Sequence, residues 1–412
     1  MVKKHEITWK SILYPQIISV VVVLARFLRI LAAVSRSKLD SLIVSPAAAG
    51  SLGDQALVSA CVRRLDTLGA KKVGVLTEDG EENVDGERTR VNFYQGLLGR
   101  AGLISQIRFC FLSVWFERLY VIGADIMDGF YAPGPALIRL ELIKMGDRCG
   151  MKTALIGFSF NKNPSQEIVE RLRSLSSKTR FVIRDEDSHA RFRSIVGKEA
   201  IYGADLAFLI APVSESPLFR EYGKWASEQR ARGRLILCIN LNRHVVEKAD
   251  AVVKRFSSLI HHILERAPNA AFALMPHDIR GQRSDAVLNR ELFSLLSSET
   301  QDRTFILPCA ASAAEAKSVF VNVDLVVTQR MHLGIAALGM KVPAFCFDYQ
   351  DKVAGMLSLF GLRSLSLDLA ELGDVSKLAA RIVFALENRE QLRQAIVTNL
   401  PQVEKMAQTN IE

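Results

Sequence analysis

The stretch Ser41–Leu68 reads SLIVSPAAAGSLGDQALVSACVRRLDTL, and it holds the unit from which the rest of the chain follows. Leu42-Ile43-Val44 is a short apolar run, the pattern of a buried strand. Gly50 and Gly53 mark a turn. Ala56, Leu57, Ala60, Cys61, Arg64, Leu65 and Leu68 then recur at helical spacing, with Asp54 placed as the N-cap.

The same order of strand, glycine turn and helix recurs downstream. Val73–Leu76, Leu119–Ile122 ending in Gly123, Thr153–Ile156 and Phe181–Ile183 are predicted strands with helical stretches between them. Strands separated by helices make parallel βαβ units. Pro212-Val213-Ser214-Glu215-Ser216-Pro217 breaks the series and is the candidate domain boundary. Beyond it, strands are predicted at Leu235–Ile239, Ala271–Met275, Phe305–Leu307, Leu325–Val327 and Ala344–Phe347. A long helix is predicted over Val246–Arg266 and a last one over Glu387–Met406.

The chain has 412 residues, two to three times a usual single domain, and is 49% hydrophobic, which allows a full core. The expected fold is α/β, with two Rossmann-like, doubly wound domains facing a cleft. A first domain would occupy 41–215 and a second, with a terminal helix, 216–412; an apolar and basic segment over 1–40 precedes them. Ligands of such sheets bind beyond the carboxyl ends of the strands, so the cleft is the expected active site.

The net charge of +9 suits an anionic small molecule, a membrane surface or nucleic acid. No zinc-finger spacing, RNP-like aromatic motif or arginine-rich tail accompanies it, which sets nucleic acid aside. The six cysteines are spread out with no CxxC pair and read as buried free thiols in a reducing compartment. Lys3, Lys4 and Lys10 precede an apolar run from Ile12 to Leu24, and Arg26 and Arg29 follow within apolar sequence up to Val34. This segment reads as a membrane-associated helix, spanning or lying on the inner surface, as a helix packed on the protein, or as a signal peptide ending near Ala33-Val34-Ser35. A spanning helix would carry two arginines at roughly 2.5–3.5 kcal/mol each near the bilayer centre, but both sit towards one end, where they can snorkel.

Five segments carry candidate chemistry, and each has a bland alternative. Gly50-Ser51-Leu52-Gly53-Asp54-Gln55-Ala56 offers helix N-terminal amides to an anion, or is only a turn. Arg184, after the strand ending at Ile183, is placed to grip a carboxylate or phosphate, or pairs with Asp185 or Asp187. Arg330 and His332 leave one strand end together, an anion binder beside a group that can move a proton near neutral pH, or a capped helix start with a histidine packed near its dipole. Lys352 adds positive charge at the same edge or is a solvated lysine, and His277 contacts substrate or caps the next helix. His261 and His262 lie in a predicted helix with no acidic partner at a metal spacing, so no metal site is expected.

Taken together, these blocks resemble the polysaccharide pyruvyl transferase family over about residues 41–360. The matching pieces are Gly53, Asp54 and Ala56; Arg184, Asp185 and Ser188; and Arg330, His332, Ile335 and Ala337, continuing to Gly339, Pro343, Tyr349 and Lys352. The resemblance implies a glycosyltransferase-B-like fold with His332 catalytic. Arg330 and His332 would bind phosphoenolpyruvate as co-substrate, Arg184 would hold its carboxylate or phosphate, no other cofactor is needed, and Lys352, Gly53 and Asp54 would line the substrate site, where the strand-end position of His277 also places it. The acceptor would be a sugar or lipid-linked glycan, oriented by Asp54 or Asp125, in the cytoplasm or at the inner face of the membrane. The chain departs from the family at Gly123-Ala124-Asp125, at Gly157–Asn161 and at Gln55. The rival readings are a sugar-nucleotide glycosyltransferase of the same architecture and a non-catalytic glycan-binding relative.

Overall fold

The structure is a computed structural model that describes residues 9–46, 50–77, 103–130, 132–242, 249–278, 280, 284–348 and 352–412. Two six-stranded parallel sheets form its frame. The first contains β1 (Ser41–Val44), β2 (Val73–Leu76), β3 (Arg118–Ala124), β4 (Lys152–Phe158), β5 (Arg180–Ile183) and β6 (Ile201–Tyr202). The second contains β7 (Leu235–Asn240), β8 (Ala270–Leu274), β9 (Thr304–Ile306), β10 (Leu325–Thr328), β11 (Ala344–Asp348) and β12 (Ser366–Asp368). Most strand residues are buried, as expected of sheets covered by helices on both faces.

The strand orders are β2-β1-β3-β4-β5-β6 and β12-β11-β10-β7-β8-β9. Each sheet reverses direction once, between β1 and β3 in the first and between β7 and β10 in the second. Crevices for ligands open at the carboxyl ends beside such switch points. The main hydrophobic core runs without a break through both sheets, from Ile43 and Ile122 to Ile239 and Val327.

Several details differ from expectation. The edge strands β6 and β12 were not anticipated; they have two and three residues, too short to show an apolar pattern. The last predicted helix is found at Arg389–Gln408, and a separate helix, Val375–Glu387, precedes it. The helix Leu52–Thr67 is capped by Ser51, whose Oγ accepts the Asp54 N–H at 3.4 Å, so Asp54 lies in the first turn and is not the cap. Cys309 is exposed, unlike the other five cysteines. Glu265 pairs with both His262 (2.8 Å) and His261 (3.4 Å), so these histidines do have an acidic partner.

The C-terminal helix Arg389–Gln408 returns to the first sheet. Asn410 donates to the Ala204 carbonyl at 2.9 Å, and the Tyr120 hydroxyl donates to the Glu412 carbonyl at 3.2 Å. The turn Leu206–Leu209 packs against this helix, against Leu52–Thr67 and against Met331–Gly339.

The N-terminal helix Trp9–Leu31 rests on the helix Leu103–Ser113 and on the end of the helix Pro133–Arg148. Ile18, Val22, Ala25 and Arg29 form its buried face. Arg29 does not snorkel. It donates to the carbonyls of Ser113, Phe116 and Gly150 and pairs with Glu117 at 3.3 Å. Burial, with Arg36 nearby, lowers its pKa to about 10 against the pull of Glu117. The opposite face leaves Val20, Val23, Phe27, Ile30 and Leu31 exposed, at 57–71% of their surface. By length and composition, residues 14–34 suffice to cross a membrane.

Candidate active site

The carboxyl ends of the two sheets face each other, and charged side chains from both meet there. From the first sheet come the turn after β1, Asp125 after β3, Ser159 after β4, Arg184 after β5 and Asp205 after β6. The second sheet contributes His277, Asp278 and Asp285 after β8, Arg330 and His332 after β10, and Lys352 after β11.

His332 joins the halves. It lies in the first turn of the helix Met331–Gly339. Its Nε2 faces the Asp205 carboxylate at 3.5 Å, near enough for charge attraction without a formed hydrogen bond. Its ring lies against Gly53: a Cβ built there would fall 2.5 Å from Nδ1 and 2.7 Å from Cγ. Gly53 is therefore required by close approach.

Arg184 is buried and bonds neither Asp185 nor Asp187. It donates to Asp205 at 2.8 Å and to the Ser159 hydroxyl at 2.9 Å, leaving Nη2 buried without a partner among the described residues. Asp185 instead caps the helix Glu186–Val196, and Asp187 pairs with Arg363. Burial alone would raise the Asp205 carboxyl; His332, Arg184 and the Ala207 N–H hold it down at about 2.

Arg330 is fixed by two carboxylates. Asp285 accepts from its Nη2 at 2.7 Å and its Nε at 3.2 Å, and Asp278 lies 3.3 Å from its Nη1. Fully buried, Asp285 also accepts from the His277 and Asp278 backbone N–H groups and the Asn240 amide. Sequence reasoning missed both Asp285 and Asp205. The available signal for Asp285 was its place at the start of a helix just beyond a strand end, next to Ser284.

His277 does not cap a helix. Its ring is buried, neither nitrogen has a hydrogen-bond partner among the described residues, and burial together with His332 and Arg330 pushes its pKa down to about 3. It is a neutral imidazole beside the Arg330 guanidinium and the His332 ring. Lys352 is buried and bonds Asp125 across the two halves. Burial would raise the Asp125 carboxyl, but Lys352 and Arg184 bring it well below the usual range. The residue before it, Ala124, holds φ 45°, a left-handed conformation that suits glycine. Asp54 is pushed above the carboxylate range by burial and by Asp125, against His332. Tyr349 lies outside the described residues.

The cluster thus brings together Gly53, Asp54, Arg184, His277, Arg330, His332 and Lys352, all singled out in the sequence. Its cations are already matched: Arg184, Lys352, Arg330 and Arg280 meet Asp205, Asp125, Asp278 and Asp285. An anionic ligand here competes with these carboxylates for the same cations, except at the unbonded Arg184 Nη2.

Residues 52–351 match the sequence profile of the family described as polysaccharide pyruvyl transferase. Comparison with curated proteins returns no match. Among solved structures, MnaA from S. aureus in complex with UDP is similar at TM-score 0.59 and 10% identity, covering 89% of this chain and 94% of that one. A glycosyltransferase from Rickettsia africae gives 0.54 at 11% identity, covering 90% and 96%. An α,α-trehalose 6-phosphate synthase from Burkholderia multivorans gives 0.52 at 13%, covering 90% and 94%. These likenesses show the fold, which is glycosyltransferase-B-like.

Proposed function

The chain belongs to the polysaccharide pyruvyl transferase family, and from that premise we propose that it moves pyruvate from phosphoenolpyruvate onto a sugar as a ketal. The observation that carries this reading is His332, held between Asp205 and the bare backbone of Gly53 with Arg330 beside it. That arrangement suits proton movement next to an anion site.

The donor is an enol phosphate bearing a carboxylate. A proton is added to its methylene carbon, and C2 becomes electrophilic. One sugar hydroxyl bonds to C2 and gives up its proton. The C2–O bond to phosphate breaks, and a second hydroxyl of the same sugar bonds to C2 with loss of its proton. The ketal carries the new methyl group, and phosphate leaves with the remaining proton. His332 moves protons in these steps, worth roughly 10²–10⁴-fold in rate. Arg330 holds the donor's anionic groups in competition with Asp278, and Arg184 offers its free Nη2. Asp54, raised in pKa, and Asp125 line the acceptor side. The acceptor is a surface polysaccharide or its lipid-linked precursor, met at the cytoplasmic face of the membrane.

The test is phosphate release from phosphoenolpyruvate with a panel of sugars and lipid-linked glycans, with His332→Ala beside the parent. Release that needs an acceptor and is lost in the variant supports the reading; turnover that survives the change removes His332 from the chemistry. The competing reading is a sugar-nucleotide glycosyltransferase, suggested by a relative in fold solved with UDP. Thermal stabilisation by UDP or GDP, with none by phosphoenolpyruvate, would favour it.

A further inference from the structure

The N-terminal helix is built inside out for a surface helix. Its one well-buried charge, Arg29, faces the protein, while Val20, Val23, Phe27, Ile30 and Leu31 face outwards. The neighbouring helix adds exposed Ile104 and Phe111, and Trp115 follows with its ring under the Lys72 ammonium at 5.3 Å. An apolar patch of this kind calls for a partner.

A basic cavity borders the patch. Arg26 stands one turn from both Val23 and Ile30 and lines a cavity of about 410 Å³ at the amino ends of β3, β4 and β5. Lys152 and Lys178 also line it. The side chains of these three cations have no partner among the described residues. Arg118 adds positive charge, although the Lys38 carbonyl and Tyr120 already engage it, while Arg180 is matched by the Glu412 carboxylate at 3.1 Å. Asp147 and Glu412 are the acidic members of the lining.

We infer that this face docks on an anionic phospholipid leaflet. The apolar side of Trp9–Leu31 lies in the boundary between headgroups and acyl chains, and the cavity beside Arg26 takes a lipid phosphate. Charge complementarity selects this occupant. A second copy of the chain would bring unpaired cations towards unpaired cations, whereas a leaflet supplies the missing anions. An amphipathic ring with a lysine over it, as at Trp115, suits the same boundary. Because Arg29 ties the helix to three carbonyls and Glu117, the helix lies along the leaflet and does not cross it. This deepens the membrane part of the reading above and is independent of the donor chemistry, since docking needs no turnover.

The experiment is flotation of the full chain with vesicles of phosphatidylcholine alone or mixed with phosphatidylglycerol, at low and high salt, without substrate. The parent is expected to float with the anionic vesicles and to be released by salt. Phe27→Ser with Ile30→Ser should lower binding at least ~10-fold. Arg26→Glu with Lys178→Glu should lose the anionic preference, about five-fold per cation, while keeping the parent's melting curve. Failure of the parent to bind anionic vesicles overturns the inference. So does a dimer, seen by light scattering, that Phe27→Ser with Ile30→Ser breaks in a protein indifferent to vesicles. Stabilisation by inorganic phosphate through Arg26 and Lys178, with no vesicle binding, would assign the cavity to a soluble anion and overturn it too. Resistance of the parent to alkaline extraction from native membranes would indicate a span and exclude surface docking.

Discussion

The two ends of the first sheet handle positive charge in opposite ways. At the carboxyl ends, Arg184 and Lys352 are buried and matched by Asp205 and Asp125. At the amino ends, Arg26, Lys152 and Lys178 line a cavity without partners among the described residues. Fixed, paired charges hold a geometry and tolerate little change. Unpaired charges at a surface hold no geometry and wait for an anion. The same residue types therefore serve chemistry at one end and attachment at the other.

Substitutions at the two ends should separate accordingly. The largest effect belongs to His332→Ala, expected to lower acceptor-dependent phosphate release by roughly 10²–10⁴-fold with an unchanged melting curve; Lys152→Ala should leave that rate alone. Next is Asp285→Ala, which strands the Arg330 guanidinium and several buried donors. Denaturant titration should show a loss of about 3–5 kcal/mol. Gly53→Ala puts a methyl group where the His332 ring stands, and a displacement of about 1 Å is worth ~10²-fold in rate. A rate equal to the parent's would mean that the ring's position does not matter.

The pH dependence comes next. His277 has a pKa near 3 when folded and near 6.5 when free, so the unfolded chain takes up the proton first. Stability should fall as pH drops from about 6.5 towards 3, by at most about 1.4 kcal/mol per pH unit. His277→Phe should flatten that slope in denaturation midpoints measured at several pH values. In that variant a slope that persists below pH 3.8 fits Asp205 and Asp125, whose lowered pKa values give stability that is lost as the pH falls further. The smallest effect is at the amino ends, where Lys178→Ala should change folding stability by no more than ~0.5 kcal/mol.

The strands with apolar runs and the turn at Gly53 were legible because buried parallel strands and tight turns leave local marks. β6 and β12 left none, since two or three residues at a sheet edge carry no period. That loss hid Asp205, which stands just past β6 and reads in isolation as a loop acid. Ser51 and Asp54 are both capping residue types, and only the extended backbone at Ser51 marks it as the cap. Arg184 and Arg330 were legible as residues at strand ends, but their partners were not. Asp205 lies 21 positions from Arg184 and Asp285 lies 45 positions from Arg330, and such pairings are set by sheet order. The outward apolar face of Trp9–Leu31 was equally hidden: an apolar segment does not declare which side the protein will cover.

The bond between Asn410 and the Ala204 carbonyl has a mechanical meaning. The chain leaves the first sheet after β6 and returns to it after the helix Arg389–Gln408, and here the outgoing and returning paths touch. Two covalent connections thus run side by side between the halves, and the pairs His332–Asp205 and Lys352–Asp125 bridge them across the cleft.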